Sequence, residues 1–326
     1  MKLLQRCRLQ SVLAVACILF GAATLHAAET YPSRPLRMVV PYTPGGNTDV
    51  LARLIAQRLA QSFGQQVVVD NRSGGNTLIG TELVARAPAD GYTIMLTTLT
   101  FTVVPTLYKK LPYDTLGDFT PITLAVTLPN VLVIHPAVPA RTLKEFISHA
   151  RATPGKLTYA STGSGTSPHL SMELLKAMAD IDLVNVPYKG GAPALTDLIG
   201  GQITAQFIGL PVAIPHLASG RLRALGVTSA KRASVAPNIP TLGETLGGYE
   251  LDPWFGVLGP AGLPRAVTAR LHHEIVRILR ADDMKEHLNG LGAEPVGTTP
   301  AQFASHIKAE IAKYAKIVKM AGIKVE

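Results

Sequence analysis

The sequence predicts an α/β fold with room for two lobes, and three observations carry that expectation. Short apolar runs alternate with segments of helical period, the pattern of largely parallel strands joined by helices. The length, 326 residues, exceeds the roughly 100–200 that one hydrophobic core organises. A composition 47% hydrophobic and 16% charged, with 29 Gly and 24 Pro, is that of a folded globular chain and excludes disordered and collagen-like ones.

The first element is a leader. Lys2, Arg6 and Arg8 precede an uncharged, mostly apolar run from Leu9 to Leu25 that ends in the small residues Ala27 and Ala28, the layout of a secretory signal peptide over 1–28. The run falls short of the roughly 20 apolar residues of a membrane span, and no later stretch reaches that length. Cys17 follows Ala14-Val15-Ala16, which admits a lipid-anchored reading, but Ala14 stands where lipidation wants Leu. Cys7 and Cys17 both leave with the leader, so the mature chain has no disulfide or thiolate metal site and depends on core burial. Its net charge falls from +9 to +6, because the leader carries three basic residues and no acidic one. The remaining basic residues are scattered rather than gathered in a stripe, which argues against a nucleic-acid partner.

Strands are expected at 36–41, 67–71, 93–97, 131–135, 158–161, 183–187, 203–208 and 222–228. Helices are expected at 49–63, 78–86, 143–152, 168–179, 193–199, 267–279 and 300–319. In the first helix Val50, Leu51, Leu54, Ile55 and Leu59 form an apolar stripe, and Gly64 supplies the stop. A dense run of Gly and Pro over 236–264 reads as turns and as one passage between lobes; 119–129 reads as the other.

Two loops carry the chemistry. Pro41-Tyr42-Thr43-Pro44-Gly45-Gly46-Asn47-Thr48-Asp49 follows a strand and opens a helix, so its glycines admit close backbone approach and its first helical N–H groups lack partners. Such a helix start favours an anion by about 0.3–1 kcal/mol from the dipole alone. The loop is neither a Walker loop nor a dinucleotide fingerprint, and a plain Gly-rich turn with Asp49 as N-cap also explains it. Ser161-Thr162-Gly163-Ser164-Gly165-Thr166-Ser167 repeats the arrangement, with Pro168 at the first helical position and five hydroxyl residues around the glycines. Two such loops in one exported chain favour an oxyanion ligand over coincidence. A third turn, 186–193, brings Tyr188 towards the same mouth, or serves only as a hinge-side turn.

A secreted hydrolase would need a nucleophile and a base. Ser164 and His169 are the available pair, but Gly163-Ser164-Gly165 is not the nucleophile elbow, and His169 falls in the first turn of the helix that the loop opens. His272-His273-Glu274 lacks the spacing of a zinc site, so no metal or cofactor is expected.

Taken together, Val40-Pro41-Tyr42-Thr43-Pro44-Gly45-Gly46 with Asp49 and Arg53, Val69-Asp70-Asn71-Arg72, Asp90-Gly91-Tyr92-Thr93, Leu111-Pro112-Tyr113-Asp114 and Pro154-Gly155-Lys156-Leu157 closely resemble the substrate-binding receptors of tripartite tricarboxylate transporters, the Bug family. His169-Leu170, Val186-Pro187-Tyr188-Lys189-Gly190, Gly200-Gly201-Gln202, Pro240-Thr241 with Glu244, and Pro260-Ala261-Gly262-Leu263-Pro264 extend the match over the mature chain. The chain departs from the family pattern at Asn185 and at Ser73-Gly74-Gly75-Asn76-Thr77.

The resemblance implies a two-lobed, type II periplasmic-binding-protein fold, each lobe a mostly parallel sheet flanked by helices. It places lobe I at 29–124 plus 255–326 and lobe II at 125–254. It further implies a periplasmic receptor that closes on a small organic acid and presents it to membrane permease subunits, with ligand groups drawn from the two loops, His169 and Tyr188. A ligand sensor for a signalling partner would share every one of these features.

Overall fold

The computed structural model describes residues 31–323, so the expected leader, with both cysteines, lies outside the described residues. Strand β1 (Leu36–Val40) runs into a loop and then helix α1 (Asn47–Phe63). Leu51, Ala52, Ile55, Ala56 and Leu59 recur at helical spacing and are buried, which stabilises by about 1.5–3 kcal/mol for each large side chain. Gly64 ends the helix in the left-handed region at φ 66°, its N–H donating to the Ala60 carbonyl.

The chain continues through β2 (Val67–Asn71), α2 (Leu78–Ala85), β3 (Thr93–Thr98), α3 (Thr100–Leu107) and β4 (Phe119–Thr127). Next come β5 (Asn130–Ile134), α4 (Leu143–Ala152), β6 (Leu157–Ser161), α5 (Ser167–Ala179), β7 (Leu183–Pro187), α6 (Gly191–Ile199), β8 (Ala205–Gly209), α7 (Leu210–Ala218) and β9 (Arg223–Val227). It ends with β10 (Trp254–Pro260), α8 (Arg265–Arg280), α9 (Asp282–Gly290), β11 (Glu294–Pro295) and α10 (Pro300–Met320).

Two sheets result, with strand orders β11-β4-β10-β3-β1-β2 and β7-β6-β8-β5-β9. In the first, β1 pairs in parallel with β2 and β3, while β10 lies antiparallel between β3 and β4. In the second, β6 pairs in parallel with β7 and β8, while β5 lies antiparallel between β8 and β9. Each sheet therefore has one inverted strand of full length, and it is the strand entered on crossing from the other sheet. Apart from these and the two-residue β11, the strands of each sheet share one direction. β1 and β6 hold equivalent places: each lies between the next strand in sequence and the one after it, so the chain leaves in opposite directions on its two sides. The carboxyl end of such a strand is where open α/β sheets bind ligands.

Three strands, β4, β10 and the two-residue β11, and three helices, α3, α7 and α9, lie where the sequence predicts none. Residues 119–127, read as a passage between lobes, form β4 of the first sheet, so 125–127 and Trp254 pair there rather than in the second lobe. The strand tolerates Pro121 because the register opposite it is irregular. β10 was hidden in the Gly/Pro-rich run. Gly256 marks close packing rather than a turn: a Cβ there would lie 2.2 Å from Cζ of Phe303.

The true passages are 128–129 and 228–253, tied together by Leu128 N–H to the Pro253 carbonyl at 2.9 Å and Leu251 N–H to the Thr228 carbonyl at 3.1 Å. Helix α10 packs on α3, β4 and α5 and so spans both halves. One contiguous buried cluster accordingly includes Phe101 and Leu107 of α3, Leu170 and Leu174 of α5, and Phe303 and Ile317 of α10.

Candidate functional site

The first loop leaves the carboxyl end of β1 with Thr43, Pro44, Gly45, Gly46 and Asn47 exposed and Thr48 and Asp49 buried. Gly46 is the N-cap, in extended conformation, with no side chain capping the helix. The first intrahelical bond is Val50 N–H to the Gly46 carbonyl at 3.0 Å, which leaves the N–H groups of Asn47, Thr48 and Asp49 without helical acceptors. α1 thus starts two residues earlier than expected, and Asp49 lies inside its first turn.

The Asp49 carboxylate accepts Gly45 N–H at 2.9 Å and Arg53 Nε at 3.0 Å, while Arg53 Nη2 lies 3.0 Å from its other oxygen. Arg53, with support from the Gly45 N–H, holds the Asp49 carboxyl below the usual carboxylate range. Its negative charge is therefore answered within the loop, and its structural effect is to curl the loop back on the helix start. Arg53 also donates to Asn71 Oδ1 at 3.2 Å, and Asn71 Nδ2 to the Tyr42 carbonyl at 3.2 Å. The Tyr42 hydroxyl and Thr98 Oγ1 are 2.6 Å apart, and Thr98 in turn donates to Thr100 at 3.3 Å. These bonds tie the loop to the ends of β2 and β3.

The second loop leaves the carboxyl end of β6, and Thr166 is the N-cap of α5. The Thr166 hydroxyl turns away from the helix and donates to the Gly163 carbonyl at 2.7 Å, while Thr162 donates to Thr166 Oγ1 at 3.3 Å. Asn130 Nδ2 donates to Ser167 Oγ at 2.6 Å. Ser164 is exposed; Ser161 is fully buried, its Oγ without a hydrogen-bond partner among the described residues.

Each loop touches the other half of the molecule. A Cβ on Gly165 would lie 2.5 Å from Leu107 Cδ1 and 3.4 Å from Val103 Cγ1 of α3, and Gly165 itself has φ +75°. A Cβ on Gly209, at the end of β8, would lie 3.5 Å from Asn47 Nδ2. Two open helix starts, one from each sheet, are thereby brought to one boundary.

His169 is buried beneath the second loop, where its Nδ1 accepts Gly165 N–H at 3.4 Å. Tyr188 is placed beside the loop by its N–H, which donates to the Ser161 carbonyl at 2.8 Å. Its hydroxyl donates to Asp197 at 2.6 Å, and that bond pushes its pKa up to about 12. Among the described residues no hydrogen bond joins Ser164 to His169, whose Nδ1 is taken by the Gly165 N–H. Glu274 of the His-His-Glu run accepts instead from Ser62 at 2.7 Å and Arg277, and no metal-holding group occurs among the described residues.

Sequence reasoning did not assign the bracing residues Arg53, Asn71, Thr98, Thr100 and Asn130 to the site. Two signals could have found some of them: Arg53 lies four residues after Asp49, and Thr97-Thr98-Leu99-Thr100 is a hydroxyl run at a strand end. A cavity of about 620 Å³ along α8, lined by His272, Arg277 and Arg280, lies away from both loops. Convergent polar groups, not volume, single out the loop boundary.

The family model for tripartite tricarboxylate transporter family receptors matches residues 51–323. Protein BugT of Bordetella pertussis is 36% identical over 323 residues, which is 98% of this chain and 99% of that protein. Among solved structures, R. palustris Rpa4515 with adipate is 40% identical with TM-score 0.82, covering 90% of this chain and 99% of that one. MatC of Rhodopseudomonas palustris with bound malate is 31% identical with TM-score 0.77, covering 88% and 100%. The fold thus superposes on solved structures over about nine-tenths of the chain, and the chain belongs to the tripartite tricarboxylate transporter receptor family.

Proposed function

We propose that this protein is a periplasmic receptor that binds a small organic dicarboxylate between its two halves and delivers it, without turnover, to the membrane permease subunits of a tripartite transporter. The observation that carries the proposal is the pair of open helix starts, α1 after β1 and α5 after β6, at equivalent sheet positions and in contact with opposite halves. Adipate and malate, the molecules bound to Rpa4515 and MatC, are both dicarboxylates and support the class. In this reading Tyr42–Thr48 and Ser161–Thr166 grip the ligand, Asp49 shapes the first loop, and Tyr188 walls the second. Among the described residues no helix is long and apolar enough to cross a membrane.

The energetics need no arginine clamp. Micromolar affinity corresponds to about −8 kcal/mol. Several charge-assisted hydrogen bonds at roughly 1.5–3 kcal/mol each, less the costs of ordering and closure, reach that value. A grip built from backbone amides accepts any carboxylate, so selection among acids falls to the side chains around the rest of the ligand. Titration calorimetry with adipate, malate and their diamides tests the reading. The acids are expected to bind and the diamides not; equal binding of acid and diamide would overturn it.

A further inference from the structure

The second loop is anchored differently from the first, and its anchors include one buried imidazole, that of His169. Gly165 is the point where this loop meets α3 of the other half, and its backbone N–H, buried there, donates to Nδ1 of His169. A ring nitrogen accepts only when it carries no proton, so this bond fixes His169 as the neutral tautomer with hydrogen on Nε2. We propose that His169 is a positioning residue of the carboxylate site, which in that neutral form holds Gly165, and through it the second loop, in the arrangement that closes on α3. The proposal rests on the receptor reading above, and it replaces a direct ligand contact by His169 with an action through the Gly165 N–H.

The surroundings keep the ring neutral. Burial lowers the pKa of His169 below its ordinary value, Glu173 acts against this and Lys176 with it. Glu173 is occupied, since its Oε1 accepts the Tyr159 hydroxyl of β6 at 2.5 Å and Lys176 Nζ at 3.0 Å. Among the described residues, β8 and α10, which also pack on α5, bring no charged group to bear on His169. Protonation would set an N–H against the Gly165 N–H in a water-poor site. The loop would then turn, and the contact with α3 would be lost.

The His169 pKa is lowered where the loop rests on α3; on this proposal a loop released from α3 exposes the ring and binds more protons, so acid weakens binding. The carboxylates of a ligand protonate in the same acidic range, so the pH profile needs a control with no titrating group at this position. His169→Asn keeps an acceptor near the Nδ1 position and cannot titrate; His169→Leu removes the acceptor.

The experiment has two arms. Nitrogen NMR of protein with labelled histidine, without ligand at pH 7.5, reads the tautomer, and adipate calorimetry from pH 7.5 to 5 reads binding. The expected results are an unprotonated Nδ1 and a fall in adipate affinity with acid that is steeper in the wild type than in His169→Asn. His169→Asn is expected to bind within about threefold of wild type at pH 7.5, and His169→Leu roughly tenfold or more weakly. A proton on Nδ1 at pH 7.5, or wild-type pH profiles in His169→Asn, would overturn the role of His169 and leave the receptor reading standing. The expected tautomer with no binding of any dicarboxylate would overturn the receptor reading and this role with it.

Discussion

The loops after β1 and β6 hold equivalent places in their sheets and are braced by opposite means. The first is braced by charge: Asp49, buried, is clasped by the half-exposed Arg53 and by Gly45 N–H. The second is braced by neutral groups: hydroxyls, carbonyls, and an imidazole that accepts the Gly165 N–H. Both leave a helix start open, so the common requirement is free N–H groups. The difference teaches that the bracing can vary as long as it does not cap the helix. On the proposed reading, a carboxylate beside an anion site is tolerable only because a cation answers it, which is why Asp49 and Arg53 belong together.

The contrast can be broken most sharply at the second loop. Gly165→Val would bring a side chain into Leu107 at a left-handed backbone position, so adipate binding is expected to fall at least 100-fold in calorimetry. The protein should retain a cooperative thermal transition, because the clash lies at the boundary between halves rather than within either sheet.

Next in size is Asp49→Asn, which leaves Arg53 without its partner and loosens the first loop. Adipate affinity is expected to fall by about 1–2 kcal/mol, roughly 5- to 30-fold. The pH dependence has a defined sign. The Asp49 pKa is depressed in the folded protein, so its contribution to stability is present above the unfolded value, near 3.9, and is lost as pH falls through the folded value. Urea unfolding at pH 7 and pH 3 should show a smaller difference in Asp49→Asn than in the wild type.

Ser164 is the exposed hydroxyl of the second loop and braces nothing, so Ser164→Ala should cost about 0.5–1.5 kcal/mol of adipate binding with no change in melting temperature. A loss of stability without loss of affinity would place Ser164 in the scaffold instead.

The sequence carried the two loops because their signals are local: a strand, glycines, hydroxyls and a helix start within nine residues. It concealed β4 and β10 because Pro121 and Gly256 have tertiary explanations, a register irregularity in one case and the Phe303 ring in the other. The bracing of the site was hidden for the same reason. Asn71 and Thr98 reach the first loop from neighbouring strands, and Asn130 reaches the second from β5, distances in sequence that no spacing rule spans. His169 was visible as a residue of interest, yet its burial and its bond to Gly165 are products of packing.

The central claim is that one dicarboxylate is held by both helix starts at once, and amide NMR of the wild-type protein titrated with adipate tests it most directly. The largest shifts are expected together, at the same adipate concentration, in the N–H groups of Gly46 to Thr48 and of Ser164 and Ser167. Shifts confined to one loop, or centred on the groove along α8, would contradict it.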